Sequence, residues 1–340
     1  MTSAPPKPFA SKTAPKPRTD RPDFAATTAF AATKAVPQFL ILGAAKCGTT
    51  SLHGWLSQHP QILMSSPKEP VYFELEYDRG PEFYLSTYFA DWDGQRILGD
   101  SRTANLFFPW APARIQESNP TAKLIILLRN PIERCLANWW IEFRRDKEPL
   151  HFEEAVLANL ERLRSGVRYE RAEDFWRDGP LYQMPRYTGE RHRGEYHRPY
   201  NRTAAARDIF RTYVDAGYYA EQIERYLRLF PGEQMRIYFA EDLRSRPAEV
   251  LREVCELIGV RTEPIAQITL DSHNTNKPMK ASKAIKYWLA SRLRGQAIAY
   301  GDIRNRPAIR PEFRQFLAHH FRPFNAELSK LLNRDLGHWS

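Results

Sequence analysis

The chain has 340 residues, of which 42% are hydrophobic and 26% charged, so it is long enough to bury a large core in one α/β domain or in two smaller ones. Its net charge of +10 favours anionic ligands such as nucleotides, acidic glycans, nucleic acid or an anionic membrane face. Three scattered cysteines exclude a disulfide framework and fit a reducing compartment, and no apolar run reaches the roughly 18 residues that span a bilayer.

Residues 1–36 are rich in proline, alanine, lysine and threonine. They lack the apolar core of a secretory signal and the apolar surface that a packed core needs. The sequence therefore predicts a flexible tail, a cytoplasmic protein and a single folded domain over residues 37–340.

Strands and helices are predicted to alternate along that domain. The predicted strands are PQFLILG, QRILGDS, KLIILL and QMRIYFAEDL. After the helix that follows the first strand, the predicted helices are GPEFYLSTYFADW, APARIQESNP, RNPIERCLANWWIEFRR, YYAEQIERYLRLF and PAEVLREVCELIGV, and the stretch HPQILMSSPKEPVYFE is predicted to be rich in turns. This alternation predicts a doubly wound parallel α/β sheet flanked by helices.

An Arg/Tyr-rich insertion at about 162–212 interrupts the alternation. Between Arg162 and Arg202 it holds ten arginines and five tyrosines, with glycine and proline throughout. Such a segment is typical of a mobile surface element or a lid. It could bind an acidic or sugar-like acceptor through bidentate contacts and stacking, or it is a solvated insertion with no acceptor role. Nucleic acid is not expected, because no nucleic-acid-binding motif accompanies the charge.

The stretch FLILGAAKCGTTSL, residues 39–52, is predicted to be a strand, a glycine loop and the start of a helix. This arrangement points backbone N–H groups and the positive end of a helix dipole at one anion. Gly43 and Gly48 let the backbone curl closely, and Lys46 adds a positive charge. The hydroxyl groups of the loop belong to Thr49, Thr50 and Ser51. The alternative is a strand-to-helix turn with glycines for steric reasons alone.

The lysine of this loop precedes its second glycine, so the Gly-Lys-Ser/Thr ending of NTP-hydrolysing loops is absent. In those loops the residue after the lysine ligates Mg²⁺, whereas Cys47 follows Lys46 here. A thiol is a poor ligand for Mg²⁺, which prefers hard oxygens. The loop is therefore predicted to bind a phosphate-type anion without a bound metal.

The stretch GAAKCGTTSL resembles the 5′-phosphosulfate loop of the sulfotransferases that use 3′-phosphoadenosine 5′-phosphosulfate (PAPS). The stretch LLRNPIERCLANWW is similar to the second signature of that family, which lies at the 3′-phosphate. The resemblance is to the branch of the heparan sulfate sulfotransferases and their bacterial relatives, and it extends from about Phe39 to Ile258. It implies a P-loop-like fold, PAPS as donor, PAP as product, and no catalytic metal.

By this resemblance, Lys46 faces the phosphosulfate and the backbone from Cys47 to Thr50 surrounds it. The segment SPKEPVYFE matches the part of the family that carries a catalytic glutamate, which implies Glu69 as the general base. The alternative for Glu69 is a surface loop carboxylate. The next candidates for the base are Glu74 and then His53.

Three further residues are implied by the resemblance. Arg102, in GDSRTANLFF, stands where the heparan branch has a second catalytic lysine, and Arg129 matches the 3′-phosphate arginine. Ala137 replaces the serine of that signature, which removes one hydrogen bond to a charged group. Lys277, in HNTNKPMKASK, is a loose match to a third cofactor contact. Lysines near enough to substitute for it are Lys280 and Lys283.

The sequence thus predicts in-line transfer of a sulfuryl group from PAPS to a hydroxyl or amine of a small-molecule or glycan acceptor. One rival is a kinase that uses the same loop with ATP, which the absent Mg²⁺ ligand disfavours. The other is a non-catalytic relative that binds nucleotide or polyanion, which Ala137 supports and Lys46 with Glu69 disfavours. The sequence does not indicate the oligomeric state.

Overall fold

The structure is a computed structural model that describes residues 37–145, 147–167, 211–271, 278, 281–293 and 305–339. The predicted tail, residues 168–210 of the Arg/Tyr-rich insertion and the predicted cofactor residue Lys277 lie outside the described residues.

Five parallel strands form one sheet in the order β2-β3-β1-β4-β5. The strands are β1 (Phe39–Gly43), β2 (Ile62–Met64), β3 (Ile97–Ser101), β4 (Lys123–Leu128) and β5 (Met235–Phe239). β1 is wholly buried and β4 nearly so, because both are continuous apolar runs in the middle of a sheet covered on its two faces. The predicted doubly wound α/β fold is confirmed.

Eleven α-helices lie in the described part of the chain. They are α1 (Thr49–Leu56), α2 (Gly80–Tyr88), α3 (Ala104–Phe107), α4 (Ala111–Ser118), α5 (Pro131–Arg144), α6 (Phe152–Arg164), α7 (Tyr219–Leu227), α8 (Ala240–Ser245), α9 (Pro247–Ile258), α10 (Ala281–Leu293) and α11 (Pro311–Leu332). The helices predicted from the sequence are all present. α5 begins as expected, with Pro131 in its first turn, and the Asn130 side chain caps it by accepting from the Ile132 N–H at 2.9 Å.

Three features differ from the sequence prediction. β2 lies inside the stretch predicted to be rich in turns, and a π-helical turn at Tyr72–Glu76 begins at the end of that stretch. β5 ends at Phe239, because the Asp242 carboxylate accepts from the Phe239 N–H at 2.7 Å and begins a helix there. Helices α3, α6, α10 and α11 carry no sequence prediction.

The buried apolar residues of the described part form two hydrophobic clusters. One surrounds the sheet, and the other joins α5 to α6 and α11 through aromatic side chains such as Trp139, Phe152 and Phe321. Because β3, β1 and β4 are parallel neighbours, their carboxyl ends open onto one edge of the sheet. Strands β2 and β3 lie on one side of β1, and strands β4 and β5 lie on the other, so the strand order reverses beside β1. In open α/β sheets, ligands bind at the carboxyl ends of the strands at such a reversal.

The described ends of the Arg/Tyr-rich insertion are held by Arg162 at the end of α6. Its guanidinium donates to the carbonyl oxygen of Val167 at 2.7 Å and to that of Arg211 at 3.0 Å, and it forms an ion pair with Asp215. Arg211 in turn forms two hydrogen bonds with the fully buried Glu148, at 2.8 and 2.9 Å. The base of the insertion is therefore fixed to the second cluster.

Candidate active site

The loop between β1 and α1 has the geometry of an anion-binding turn. Gly48 precedes α1 with φ 104°, and a Cβ at this position would lie 2.9 Å from the Leu243 side chain. Only glycine therefore combines this conformation with the close approach of the chain. The N–H groups of Thr49 and Thr50, at the start of α1, make no backbone hydrogen bond in the described part. These two donors and the positive end of the helix dipole lie at the loop.

The predicted binding residues of this loop are not equivalent. The Ser51 N–H donates to the Gly48 carbonyl oxygen at 3.0 Å and belongs to the helix. The Thr49 and Ser51 side chains are buried, whereas Thr50 is half-buried. Among the three hydroxyl residues, Thr50 is the one best exposed to a ligand.

Lys46 and Glu69 share an uncommon backbone conformation. Lys46 has φ 73° and Glu69 has φ 69°, and the only other non-glycine residue with positive φ in the described part is Asn333, which ends α11. Such conformations cost roughly 1–3 kcal/mol each and concentrate at functional sites. Asn333 has positive φ because it ends a helix, whereas Lys46 and Glu69 end no helix. Both of these residues were predicted from the sequence to act in catalysis.

The charge of Lys46 is poorly stabilised in the free protein. Burial, followed by the positive charges of Arg145 and Arg129 and opposed by Glu142, lowers the pKa of Lys46 to about 8. Its ammonium group therefore lies where an added anion would be strongly favoured. The neighbouring Cys47 is fully buried, and burial raises its pKa to about 12, so its thiol stays neutral and is a weak metal ligand and nucleophile.

The second predicted anion contact lies at the end of β4. Arg129 is about one-quarter exposed and approaches Glu133 at 3.8 Å. Arg306, which no sequence motif indicated, is close enough that burial and the charge of Arg129 lower its pKa. Ala137 is buried on α5 and offers no hydroxyl. The charges of the two arginines therefore lie within electrostatic range of each other beyond the end of β4.

Glu69 lies against the end of β3. Its N–H donates to the Ser101 carbonyl oxygen at 3.0 Å, and its carboxylate accepts from the Thr103 N–H at 2.8 Å and from the Thr103 hydroxyl at 3.1 Å. It also pairs with Lys68, and Arg102 lies 3.7 Å away. Burial opposes ionisation, but these cations and hydrogen bonds together hold the pKa of Glu69 below its usual value. The carboxylate is ionised at neutral pH.

Arg102 joins Glu69 to Glu74. The Arg102 Nε donates to Glu74 at 2.8 Å, with a second, short contact from the same guanidinium. Glu74 is buried, and burial raises its pKa against the influence of Arg102. Glu74 is thus occupied by a structural ion pair, which favours Glu69 over Glu74 as the base. His53, the third candidate, lies in the second turn of α1.

Asp100 lies one residue from Ser101 on β3 and was not singled out from the sequence. It is fully buried, and Tyr84 donates to its Oδ2 at 2.6 Å while its Oδ1 has no partner in the described part. Burial raises the pKa of Asp100 to about 7. The sequence did contain a signal for this residue, because Asp100 lies in the predicted strand ILGDS and aspartate is almost never fully buried unless it has a partner.

Among the described residues, no group of three or more His, Cys, Asp and Glu side chains is arranged to hold a metal ion. None of the helices in the same ranges combines the length and the apolar character needed to cross a bilayer.

Comparisons with known proteins give matches along most of the chain. The family model described as "Sulfotransferase domain" matches residues 36–310. The human "Bifunctional heparan sulfate N-deacetylase/N-sulfotransferase 3" is 26% identical over 312 residues, which cover 88% of this chain and 30% of that protein. The human "Heparan sulfate glucosamine 3-O-sulfotransferase 3B1" is 26% identical over 305 residues, which cover 89% of this chain and 65% of that protein.

Among solved structures, a sulfotransferase from Alicyclobacillus acidocaldarius has a TM-score of 0.60 and 25% identity. The match covers 90% of this chain and 99% of that chain. The chain spans about 30% of the length of the bifunctional relatives.

Proposed function

This chain belongs to the sulfotransferase-domain family, and on that premise we propose that it moves the sulfuryl group of PAPS to a hydroxyl or amine of an acceptor, releasing PAP. The observation that carries the proposal is that Lys46 and Glu69, two residues with positive φ, follow strands whose carboxyl ends lie at one edge of the sheet. One offers a cation beside the N–H groups at the start of α1, and the other offers an ionised carboxylate.

The residues fit the donor at both of its phosphate groups. The loop from Lys46 to Thr50 would hold the phosphosulfate, since Gly48 has a positive φ that turns the chain there and the start of α1 supplies N–H donors. Arg129 and Arg306, whose charges lie within electrostatic range of each other, would share the 3′-phosphate in place of the serine that Ala137 replaces. When bound, PAPS supplies the activated sulfuryl group. The proposed chemistry requires no metal.

The chain supplies a base and the charges around it. The Glu69 carboxylate accepts the proton of the acceptor group, and Thr103 fixes its orientation through two hydrogen bonds. Lys68 and Arg102 keep Glu69 ionised, and Lys46 contributes positive charge at the phosphosulfate loop. Arg102 is itself fixed by Glu74, so a single guanidinium sets the position of both carboxylates.

We propose a carbohydrate as the acceptor class. The names of the relatives assign them to heparan sulfate and its glucosamine units, which carry both hydroxyl and amine groups. The Arg/Tyr-rich insertion, with its ten arginines between Arg162 and Arg202, would suit an acidic glycan. Whether oxygen or nitrogen receives the sulfuryl group depends on the acceptor that an activity screen identifies.

Ligand-induced thermal stabilisation tests the donor. A ligand that binds only the folded state stabilises it by RT ln(1 + [L]/Kd), so PAP should raise the melting temperature more than ADP or ATP–Mg²⁺. Lys46→Ala and Arg129→Ala should each abolish the shift. The matched controls Lys123→Ala, at the opposite end of β4, and Arg236→Ala, on β5, should retain it. Stabilisation by ATP–Mg²⁺ without PAP would support the rival kinase instead.

Turnover tests the base. Glu69→Gln should retain PAP binding and lose roughly 10²–10⁴-fold in kcat, the range for removal of a general base. The control Glu82→Gln, in the first turn of α2, should keep full activity. A protein that binds PAP but releases none from PAPS with any glycan would be the non-catalytic relative.

A further inference from the structure

We propose that Trp339 is a positioning residue for the proposed 3′-phosphate site, where it holds the backbone of Arg129 and Asn130 in place and so favours nucleotides that carry a 3′-phosphate. The inference rests on the proposed function, because that function assigns Arg129 to this phosphate. It concerns a buried residue that lies 209 positions after Asn130 and outside the segment matched by the family model, residues 36–310.

The first link runs through the side-chain amide of Asn130, which follows Arg129. The amide oxygen caps α5 by accepting from the N–H groups of Ile132 at 2.9 Å and of Glu133 at 3.4 Å. Because the oxygen is used by the cap, the amide nitrogen is left to find a partner outside the helix. It donates to the Trp339 carbonyl oxygen at 3.3 Å. The Asn130 side chain is therefore held at both of its polar atoms.

The second link runs through Tyr219, at the start of α7. Its hydroxyl donates to the Arg129 carbonyl oxygen at 2.9 Å, and its ring meets the Trp339 ring edge-on, with centroids 6.2 Å apart. Tyr219 and Trp339 are each 1% exposed, so neither ring can shift without opening a gap in the core. Trp339 thus supports one contact to each of two consecutive residues, Arg129 and Asn130.

Trp339 is itself fixed to the sheet. Its ring meets the ring of Phe239, the last residue of β5, edge-on with centroids 5.1 Å apart. The Arg334 guanidinium lies 3.9 Å from the centroid of the same phenylalanine ring and 3.5 Å from the Asp242 carboxylate. The Trp339 N–H donates to the Leu336 carbonyl oxygen at 2.9 Å and closes the turn between them. The position of Trp339 is therefore set by β5, the neighbour of the strand that leads to the proposed 3′-phosphate site.

This arrangement bears on one phosphate group of the nucleotide more than on the other. The backbone of Arg129 carries the guanidinium that is proposed to bind the 3′-phosphate. A guanidinium that is already in place binds a phosphate without the cost of ordering it. A nucleotide that lacks the 3′-phosphate does not use this guanidinium, so its affinity does not depend on the placement. Trp339 should therefore affect the preference for PAP over adenosine 5′-monophosphate (AMP).

The experiment measures the calorimetric Kd of PAP and of AMP for each variant. Asn130→Ser keeps a good capping residue but removes the amide nitrogen, and Trp339→Ala removes the ring together with the support for its carbonyl group. Each change should lower the ratio of the AMP Kd to the PAP Kd about 3- to 10-fold, the size of one lost hydrogen bond, while the AMP Kd changes less than about twofold. Arg129→Ala gives the ratio expected when the arginine is absent.

Each variant has a matched control. Asn119→Ser makes the same substitution at a buried asparagine that precedes β4, at the opposite edge of the sheet, and donates to the Pro37 carbonyl oxygen at 2.8 Å. Phe230→Ala removes another ring that is 1% exposed, beyond the far end of α7. Both controls should melt at a lower temperature than the wild type, followed by circular dichroism, yet keep the wild-type ratio of the two Kd values.

The outcomes separate the inference from its premise. If the wild type binds PAP no better than AMP, or if Arg129→Ala keeps the preference, the assignment of Arg129 fails and this inference fails with it. If the preference depends on Arg129 but either folded variant, Asn130→Ser or Trp339→Ala, retains it or weakens PAP and AMP equally, the positioning role is wrong. Should Trp339→Ala not fold, Asn130→Ser decides the question alone, because it leaves the apolar core intact.

Discussion

The depressed pKa of Lys46 predicts that donor affinity falls as pH rises above neutrality. Burial and the charge of Arg145 disfavour the ammonium form, so the proton leaves near pH 8 instead of near 10.5. An anion at the loop binds the ammonium form. If only that form binds PAP, the lysine is about 90% competent at pH 7 and about 10% at pH 9, and Kd should rise about tenfold between them.

Among the other groups, Asp100 also titrates near pH 7, and the Lys46→Arg variant described below controls for it. The Cys47 thiol has a pKa of about 12 and stays neutral throughout. Phosphate groups lose their second proton near pH 6, so PAP is fully ionised above pH 7. Stability of the free protein should move in the opposite direction, because the cost of the buried ammonium is present below about pH 8 and is relieved as pH rises toward 10.5.

Calorimetric titration of PAP from pH 7 to pH 9 is the assay, with Lys46→Arg as the control. A guanidinium group does not titrate in this range, so the variant should give a flat profile even if its absolute affinity is lower. The reasoning is refuted if the wild-type Kd is constant across the range. It is equally refuted if Lys46→Arg shows the wild-type slope, since another group would then be responsible.

Three predictions concern stability, each measured by chemical denaturation. Neutral Asp100 contributes stability that is fully present below pH 3.8 and is lost as pH rises through about 7. The free energy of unfolding of Asp100→Asn should therefore increase relative to that of the wild type between pH 5 and pH 8. A difference that stays constant with pH would contradict this prediction. Arg211→Met should cost about 3–5 kcal/mol by leaving buried Glu148 unpaired, and much less when combined with Glu148→Leu. Gly99→Ala should cost about 1–3 kcal/mol, since its Cβ would lie 2.8 Å from the Met64 sulfur and closer to the Phe39 ring, whereas Gly232→Ala, with open space around it, should cost little.

The sheet and its loops were predictable because their signals are local. KLIILL is a continuous apolar run with a single register, and GAAKCGTTSL combines glycine, lysine and hydroxyl residues at a helix start. β2 was missed because three residues at a sheet edge carry no periodicity. The cytoplasmic location, the flexible tail and the role of Lys277 stay predictions.

The second arginine at the proposed 3′-phosphate site could not be found from the sequence. Arg306 lies more than 170 residues after Arg129, in a segment without a motif, and only the packing of α11 against α5 and α7 brings it there. The same holds for Tyr219, whose hydroxyl is one of several on an amphipathic helix. The helical pattern predicts that this ring is buried, but not which carbonyl oxygen its hydroxyl meets.

The hydrogen bonds from Arg162 to the Val167 and Arg211 carbonyl oxygens bear on how the fold accommodates changes in the length of the intervening segment. One guanidinium holds both, so Val167 and Arg211 are anchored beside the same side chain. A longer segment between two anchored positions costs little additional closure entropy, about 0.6 kcal/mol for each doubling of its length. We therefore expect that residues 168–210 can be shortened or exchanged while the loops that carry Lys46, Arg102 and Arg129 keep their places. If this segment selects the acceptor, as proposed, acceptor choice can be changed without changing the donor chemistry.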